Sequence, residues 1–305
     1  MPDPQKQSAN MYYIVYGLLY LISLLPFWVL YGISDLIAFT LHRIARYRKT
    51  VVLHNLQIAF PDKTDSERSL IAKQFYYRFT DNFMELIKLI SLPKKAIQKR
   101  FHVENDTMQE LYNQGLSVDF VLGHFFNWEW CNLAYSLNNP YTQLVVYAHV
   151  SSPIAERLMQ KIRGRFGTVL IDSKKFKEQY KPYANERKAF VLVADQNPRF
   201  LKSAYWLPFF GRLTPFAKGA DANSRLMNNA VVYCSIKRIK RGYYTTRLSC
   251  LTKAAGALPK GAVILQTAAL LEKTIREDPP GYLWSHRRFK HTYSPQRDQR
   301  NLLTQ

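Results

Sequence analysis

Cysteine is scarce in this chain of 305 residues: there are three, at positions 131, 234 and 250. An odd number with no C-x2-C spacing excludes a disulfide framework and a structural zinc site, and points to a reducing compartment. His102, His149 and His286 likewise have no ligand-spaced neighbours, so no metal site is expected. Acidic residues are short as well, 22 against 43 Lys and Arg, for a net charge of +21. That excess goes beyond what solubility needs and calls for an anionic partner: nucleic acid, acidic lipid headgroups or an acidic carrier protein. Internal repeats and low-complexity linkers are absent, which argues against two independently tethered domains. What is plentiful is apolar side chain, 47% of the residues, enough for a substantial core.

Charge is missing altogether between Gln7 and Ser34. The core of that stretch, MYYIVYGLLYLISLLPFWVLYGI from Met11 to Ile33, has the length of a bilayer-spanning or deeply embedded helix. Tyr12, Tyr13, Trp28 and Tyr31 lie near its ends, as in an interfacial belt. Arg43, Arg46, Arg48 and Lys49 follow it and place the remainder on the cytoplasmic side. A cleaved signal peptide fits less well, because the run is too long, Lys6 is the one leading positive charge and no small-x-small site follows. The expected division is therefore a membrane anchor over 1–45 and a catalytic domain over 46–305.

A helix follows the break at Pro61, entered through Asp65 or Ser66 and running to about Ile90. Its apolar positions Leu70, Ile71, Phe75, Phe79, Phe83, Leu86, Ile87 and Ile90 recur at three and four, which predicts one buried face. Beyond it, apolar runs of strand length at 117–125, 141–150, 167–171, 188–195 and 230–239 alternate with helical stretches at 128–138, 153–164, 174–186 and 219–229. A hairpin through Arg241-Gly242 and a closing helix over 262–277 complete the pattern. Such alternation implies an α/β fold, a single domain with a mostly parallel or mixed central sheet covered by helices.

The candidate chemistry lies in GHFFNWEW, Gly123 to Trp130. His124 ends an apolar run, Asn127 is a good cap for a helix beginning at Trp128, and Glu129 falls in that helix's first turn. A strand end and the next helix's first turn can fold back on each other, so Glu129 could accept an N–H from the imidazole and leave the other nitrogen free as a base. Such a dyad suits deprotonating a hydroxyl for attack on an ester or thioester without a Ser, Cys or Thr nucleophile. Chance alone supplies about half an H-x4-[DE] per chain of this composition, so the spacing counts for little by itself. Placement adds to it: a strand-to-helix junction is where α/β sheets form ligand crevices. Asp195 and Gln196 also end an apolar run and are expected in the same crevice.

GHFFNWEW resembles the GH-x-GNWE signature of the lipid A late acyltransferases, the lauroyl and myristoyl branch of the lysophospholipid acyltransferase superfamily. HNLQIAFPDKTDSER, KIRGRFGTVLI, ADQNP, LPFFGRLTPFAKG and YLWSHRRFK resemble further segments of that family in order, so the resemblance covers essentially the whole chain. It implies transfer of a fatty acyl chain from an acyl carrier protein thioester to a hydroxyl of a lipid A precursor, at the cytoplasmic side of the inner membrane, with no cofactor. His124 would be the general base and Glu129 its partner. Arg163 matches the family's functional arginine best, with Arg165 the alternative two positions on. Asn127, Asp195, Gln196, Thr214, Gly219, Arg287 and Arg288 would line the substrate site. Phe126 stands where the family has Gly, and its bulk is expected to narrow the approach to His124. Related enzymes acylate aminoacyl lipids or glycosylated phosphatidylinositols, which keeps the chemistry and changes the acceptor. The aromatics and cations of YLWSHRRFK would suit single-stranded nucleic acid as well as a membrane interface. The anchor favours the membrane, so no nucleic-acid partner is expected. A rival of another class, a basic membrane-tethered binding protein without catalysis, accounts for the charge and leaves the placement of His124, Glu129 and Asp195 to accident.

Overall fold

The alternating texture becomes a sheet with helices on both faces. The computed structural model describes residues 4–303, so the outermost positions of the 1–45 and 46–305 stretches lie outside the described residues. The strands are β1 (Phe101–His102), β2 (Val118–Leu122), β3 (Thr142–Tyr147), β4 (Val169–Asp172), β5 (Lys188–Val193), β6 (Ala204–Phe209), β7 (Arg212–Ala217), β8 (Ala230–Lys240) and β9 (Tyr243–Thr252). Seven of them form one sheet in the order β1-β9-β8-β2-β5-β3-β4, parallel throughout except for the β8–β9 hairpin. The other two, β6 and β7, pair as a separate antiparallel hairpin. That hairpin occupies LPFFGRLTPFAKG, which the sequence pattern marks only as a segment before a helix. Its turn is made at Phe210 and Gly211, both at positive φ.

The helices are α1 (Pro4–Leu24), α2 (Phe27–Phe39), α3 (Lys49–Ala59), α4 (Asp65–Lys88), α5 (Lys94–Arg100), α6 (Asp106–Asn113), α7 (Trp128–Asn138), α8 (Pro153–Arg163), α9 (Phe176–Tyr180), α10 (Gly219–Met227) and α11 (Ala262–Glu277). The helix expected over 174–186 is shorter, α9 followed by a single 3-10 turn. The expected entry of α4 moves by one residue. Thr64 caps it, its hydroxyl accepting from Glu67 N while the Glu67 carboxylate accepts from Thr64 N, a reciprocal capping box.

Strand β2 is buried along its whole length between parallel neighbours. Successive side chains on it point to opposite faces. The Phe120 ring meets Tyr135 of α7 at 4.7 Å on one face. On the other, the Asp119 carboxylate accepts from Asn223 and Ser224 of α10 and from Asn229. One strand thus fixes the helix layers on both sides.

The single bilayer-length helix expected over Met11–Ile33 does not form. Among the described residues no one helix is long and apolar enough to cross a membrane; Asn10–Leu24 and Phe27–Ile44 reach that length only as a pair, bent by 114°. The cause is local. Pro26 has no N–H to continue the helical ladder, and the carbonyls freed at the end of α1 are taken up from outside. Lys88 Nζ donates to Ser23 O and Leu25 O, both at 2.7 Å, and Ser91 Oγ donates to Ser23 O at 2.8 Å. The pair is also bound into the rest of the chain. Ser34 Oγ donates to Asp81 Oδ1 on α4 at 2.7 Å, and Arg241, in the β8–β9 turn, pairs with both Asp35 and Asp81 at 2.6 Å. The face turned away from these contacts carries Leu18, Leu21, Trp28, Leu36 and Phe39, with Trp28 77% exposed.

Candidate active site

Parallel pairing brings the centre of the site together. Leu122 of β2 lies opposite Val193 of β5, and His124 and Asp195 each follow two residues later, at the same edge of the sheet. His124 Nδ1 lies 2.6 Å from Asp195 Oδ1, and the His124 backbone N–H donates to Asp195 Oδ2 at 3.0 Å. Two bonds from one residue hold the carboxylate against the ring nitrogen. Gly123 just before leaves room for tight packing: a Cβ there would come within 2.5 Å of Leu271 Cδ1 on α11, which would have to shift, and 3.1 Å of the Phe125 ring.

This corrects the expected dyad. Glu129 is buried in the first turn of α7, but it does not bond the imidazole. Its carboxylate accepts from Arg163 Nε at 3.0 Å and Arg163 Nη2 at 2.6 Å, and from Trp128 Nε1 at 2.9 Å. The guanidinium fork at the end of α8 matches both carboxylate oxygens, and a charged donor outcompetes a neutral imidazole N–H. Trp128 stands edge-on to His124, with ring centroids 5.2 Å apart. Glu129 acts on His124 through space.

Charges follow from these neighbours. Burial disfavours the His124 imidazolium, but the Asp195 charge and hydrogen bond, with a further contribution from Glu129, outweigh it and raise the His124 pKa above its ordinary value. Burial likewise opposes the Asp195 carboxylate; His124 and, more weakly, Arg288 outweigh it and hold Asp195 down at about 2. With Nδ1–H donated to Asp195, Nε2 carries the lone pair, and there it meets Gln196 Nε2 at 3.1 Å. Among the described residues the imidazole bonds only Asp195 and Gln196.

The remaining expected residues divide. Arg163 belongs to the site through Glu129, whereas Arg165 donates to Leu89 O and packs on Phe166. Arg288 is buried: Nη1 donates to Asn197 Oδ1 at 3.0 Å and Pro215 O at 2.9 Å, the guanidinium lies 4.1 Å from the Phe216 ring centroid, and Nε and Nη2 have no partner among the described residues. His286 accepts from Asn197 N at 3.3 Å, and burial with the Arg288 charge pulls its pKa down to about 4. Arg287 is exposed beside them. Thr214 is buried in the β6–β7 hairpin, its hydroxyl donating to Arg212 O, and Gly219 opens α10; no bond joins either to His124. Phe126 is buried against Phe75 and Phe79 of α4, so its ring fills the core instead of narrowing the approach to His124.

Asn127 precedes α7 as expected but makes no side-chain cap. Its Nδ2 donates instead to Glu85 Oε2, where Tyr244 Oη also donates at 2.7 Å, while Tyr31 Oη donates to Glu85 Oε1 at 2.8 Å. Glu85 is a residue that the apolar pattern of α4 misses. The buried face of α4 includes Asp81, Glu85 and Lys88, so it is turned away from the apolar stripe, and Leu70 and Phe83 are left exposed. The signal was present as three charged residues spaced four and three apart, which places them on one side of a helix.

An imidazole held by a buried carboxylate, with its second nitrogen met only by the Gln196 amide and no protein hydroxyl or thiol bonded to it among the described residues, can take a proton from a nucleophile that the substrate supplies once that amide gives way. That is the class of site on which an enzyme transferring a group to a substrate hydroxyl can be built. The family model for bacterial lipid A biosynthesis acyltransferases matches residues 4–291, and the chain belongs to that family. It is 24% identical to a lipid A biosynthesis acyltransferase of Haemophilus influenzae over 81% of this chain and 79% of that one. It is 24% identical to the lipid A biosynthesis palmitoleoyltransferase of Escherichia coli and 23% identical to its lauroyltransferase, each over 90% of this chain and 89% of the relative.

Proposed function

We propose that this chain moves a fatty acyl group from the thioester of an acyl carrier protein to a hydroxyl of a lipid A precursor, with His124 as general base and Asp195 as the group that orients it. The observation that carries the reading is the His124–Asp195 pair at the ends of adjacent parallel strands in a member of this family. His124 Nε2 removes the acceptor's hydroxyl proton as the oxygen attacks the thioester carbonyl. The carbon–sulfur bond then breaks, and the leaving thiolate takes the proton back from the imidazolium. Gln196 Nε2 occupies the position from which an acceptor O–H would donate to His124, so Gln196 turns aside or bonds the acceptor as it binds. Glu129 holds Arg163 at the rim and adds negative potential that favours the imidazolium formed in the transfer.

The reaction would take place at the cytoplasmic face of the inner membrane. The bent α1–α2 pair supports seating in one leaflet, because its outward side chains each contribute on the order of 1–2 kcal/mol when withdrawn from water. The net charge of +21 attracts both anionic headgroups and an acidic carrier protein. The test is mass spectrometry of lipid extracts from wild-type and deletion cells, alongside transfer from acyl carrier protein by the purified chain. Loss of one acyl chain from lipid A is expected; unchanged lipid A with no transfer in vitro would overturn the reading.

A further inference from the structure

Outside the His124 site, a cavity of about 570 Å³ opens between α3, the β6–β7 hairpin and the segment after α11. Its charged lining is cationic, Arg212 from the hairpin with Arg287 and Lys290 from the C-terminal segment, and Thr50, His54 and Asn55 of α3 supply the remaining polar groups. Among the described residues none of the side chains of His54, Arg212, Arg287 and Lys290 makes a hydrogen bond or ion pair. By contrast Arg238 and Arg241, which lie close together at the end of the β8–β9 hairpin, are paired and converge on Asp81 and Asp35. Gathering three permanent positive charges around one cavity without a carboxylate costs Coulomb energy that an anion would relieve.

The cavity walls are fixed before any ligand arrives. Asn55 Nδ2, from α3, donates to Trp284 O and His286 O at 2.8 and 2.7 Å, and Arg48 Nη1 donates to Ser285 O at 3.0 Å. Phe289 is buried against Phe209 of the hairpin, with centroids 6.1 Å apart. The same segment carries His286 and Arg288 into the His124 site, and Asn197 Nδ2 donates to Arg287 O at 2.7 Å. A group bound in the cavity is therefore held by the segment that walls the reacting centre.

We propose that this cavity binds a phosphate ester of the substrate, gripped by Arg212, Arg287 and Lys290. Guanidinium forks match phosphate oxygens two at a time, and a lysine supplies a point charge. The inference rests on the acyl-transfer reading for its ligand and on the cavity alone for its chemistry. Two substrates could present such an ester, a phosphorylated lipid acceptor through its headgroup and the carrier protein through its phosphopantetheine arm.

The experiment uses the full chain, as wild type, Arg212→Gln/Lys290→Gln and Arg212→Lys. Binding of inorganic phosphate is measured by calorimetry, and KM is measured separately for acceptor and acyl carrier protein. The double variant is expected to weaken phosphate binding about tenfold and to raise one KM by a similar factor, with Arg212→Lys close to wild type. A rise in the acceptor's KM that disappears with a dephosphorylated acceptor assigns the headgroup; a rise confined to the carrier assigns the pantetheine arm. Equal phosphate binding by wild type and double variant, with neither KM moved, overturns the proposal, as does a loss confined to adsorption on anionic vesicles. If the wild type transfers no acyl chain, the functional reading fails on its own account, and phosphate binding still decides the chemistry of the cavity.

Discussion

Two carboxylates in this protein are equally buried and titrate in opposite directions. Asp195, at the end of β5, is held at about 2, whereas burial pushes Glu85, on α4, up to about 7. Asp195 accepts two hydrogen bonds and Glu85 three, so the number of bonds does not explain the order. The difference lies in the charge of the donors. Asp195 faces an imidazole and, further off, Arg288. Glu85 faces two phenols and an amide, which favour the carboxylate too weakly to offset its desolvation. Bonds to neutral donors satisfy a buried acid without ionising it. A cationic partner makes it a permanent charge, and that is what a base of raised pKa requires.

The comparison breaks most completely at His124→Ala. Transfer should fall by about 10³-fold or more, the scale of a lost general base. Asp195, stripped of its imidazole, should then titrate upward toward the behaviour of Glu85, read from its labelled carboxyl by NMR. Full turnover would remove His124 from the mechanism; an unmoved Asp195 would remove the explanation of its low pKa.

Next in size are Asp195→Asn and Glu129→Gln, compared in one assay. A neutral His124 is the active form, so activity rises with pH through its pKa, and the acid limb lies above the ordinary histidine value. Asp195→Asn removes the larger raising influence and should move that limb to lower pH while reducing kcat by about 10²-fold. Glu129→Gln should move it less, and should also leave Arg163 without its ion pair at a cost of roughly 1–3 kcal/mol in stability. A larger shift from Glu129→Gln would return Glu129 to the place of direct partner.

What the sequence made legible follows the same division. The His124–Asp195 pairing could be read because the runs SVDFVLGH and KAFVLVAD end alike and parallel strands end together, although the spacing inside GHFFNWEW favoured Glu129 instead. Local spacing says which residues can reach each other; it does not say that an arginine thirty-four positions away, Arg163, reaches first. The sheet, its order of helices and the β8–β9 hairpin were visible in period and length. The bend at Pro26 was not, because a proline within an apolar run reads as a tolerated kink until Lys88 and Ser91 are seen to hold its open carbonyls. Glu85 was hidden for a related reason: its partners come from α2, β9 and the turn before α7, and no local pattern joins them.

Glu85→Gln tests the other carboxylate. A raised folded-state pKa means that the native state holds its proton between the unfolded carboxylate value and about 7, so the stability it contributes is present below about pH 4.5 and is lost as pH rises through 7. Glutamine is neutral throughout. The variant should therefore match the wild type near pH 5 and exceed it near pH 8, by up to roughly 3 kcal/mol, in denaturant unfolding. Asp195 has the opposite sign: its contribution is present at neutral pH and is lost only as pH falls toward 2. A Glu85→Gln variant less stable than wild type at pH 8 would mean that the carboxylate is ionised and needed as a charge.

The smallest effect expected is that of Tyr31→Phe. Tyr31 is the donor to Glu85 that comes from the bent N-terminal pair, and its loss removes one hydrogen bond, about 1 kcal/mol. It also removes an influence that lowers the Glu85 pKa, so the loss of stability with rising pH should continue to higher pH in the variant than in the wild type. The double variant Tyr31→Phe/Glu85→Gln separates the two contributions: if the phenol acts through the carboxylate, the second substitution should abolish the pH-dependent part of the first and leave the pH-independent part. A pH-dependent difference that survives in the double variant would place its origin elsewhere on α2, and Asp35, paired with Arg241, would be the residue to change next.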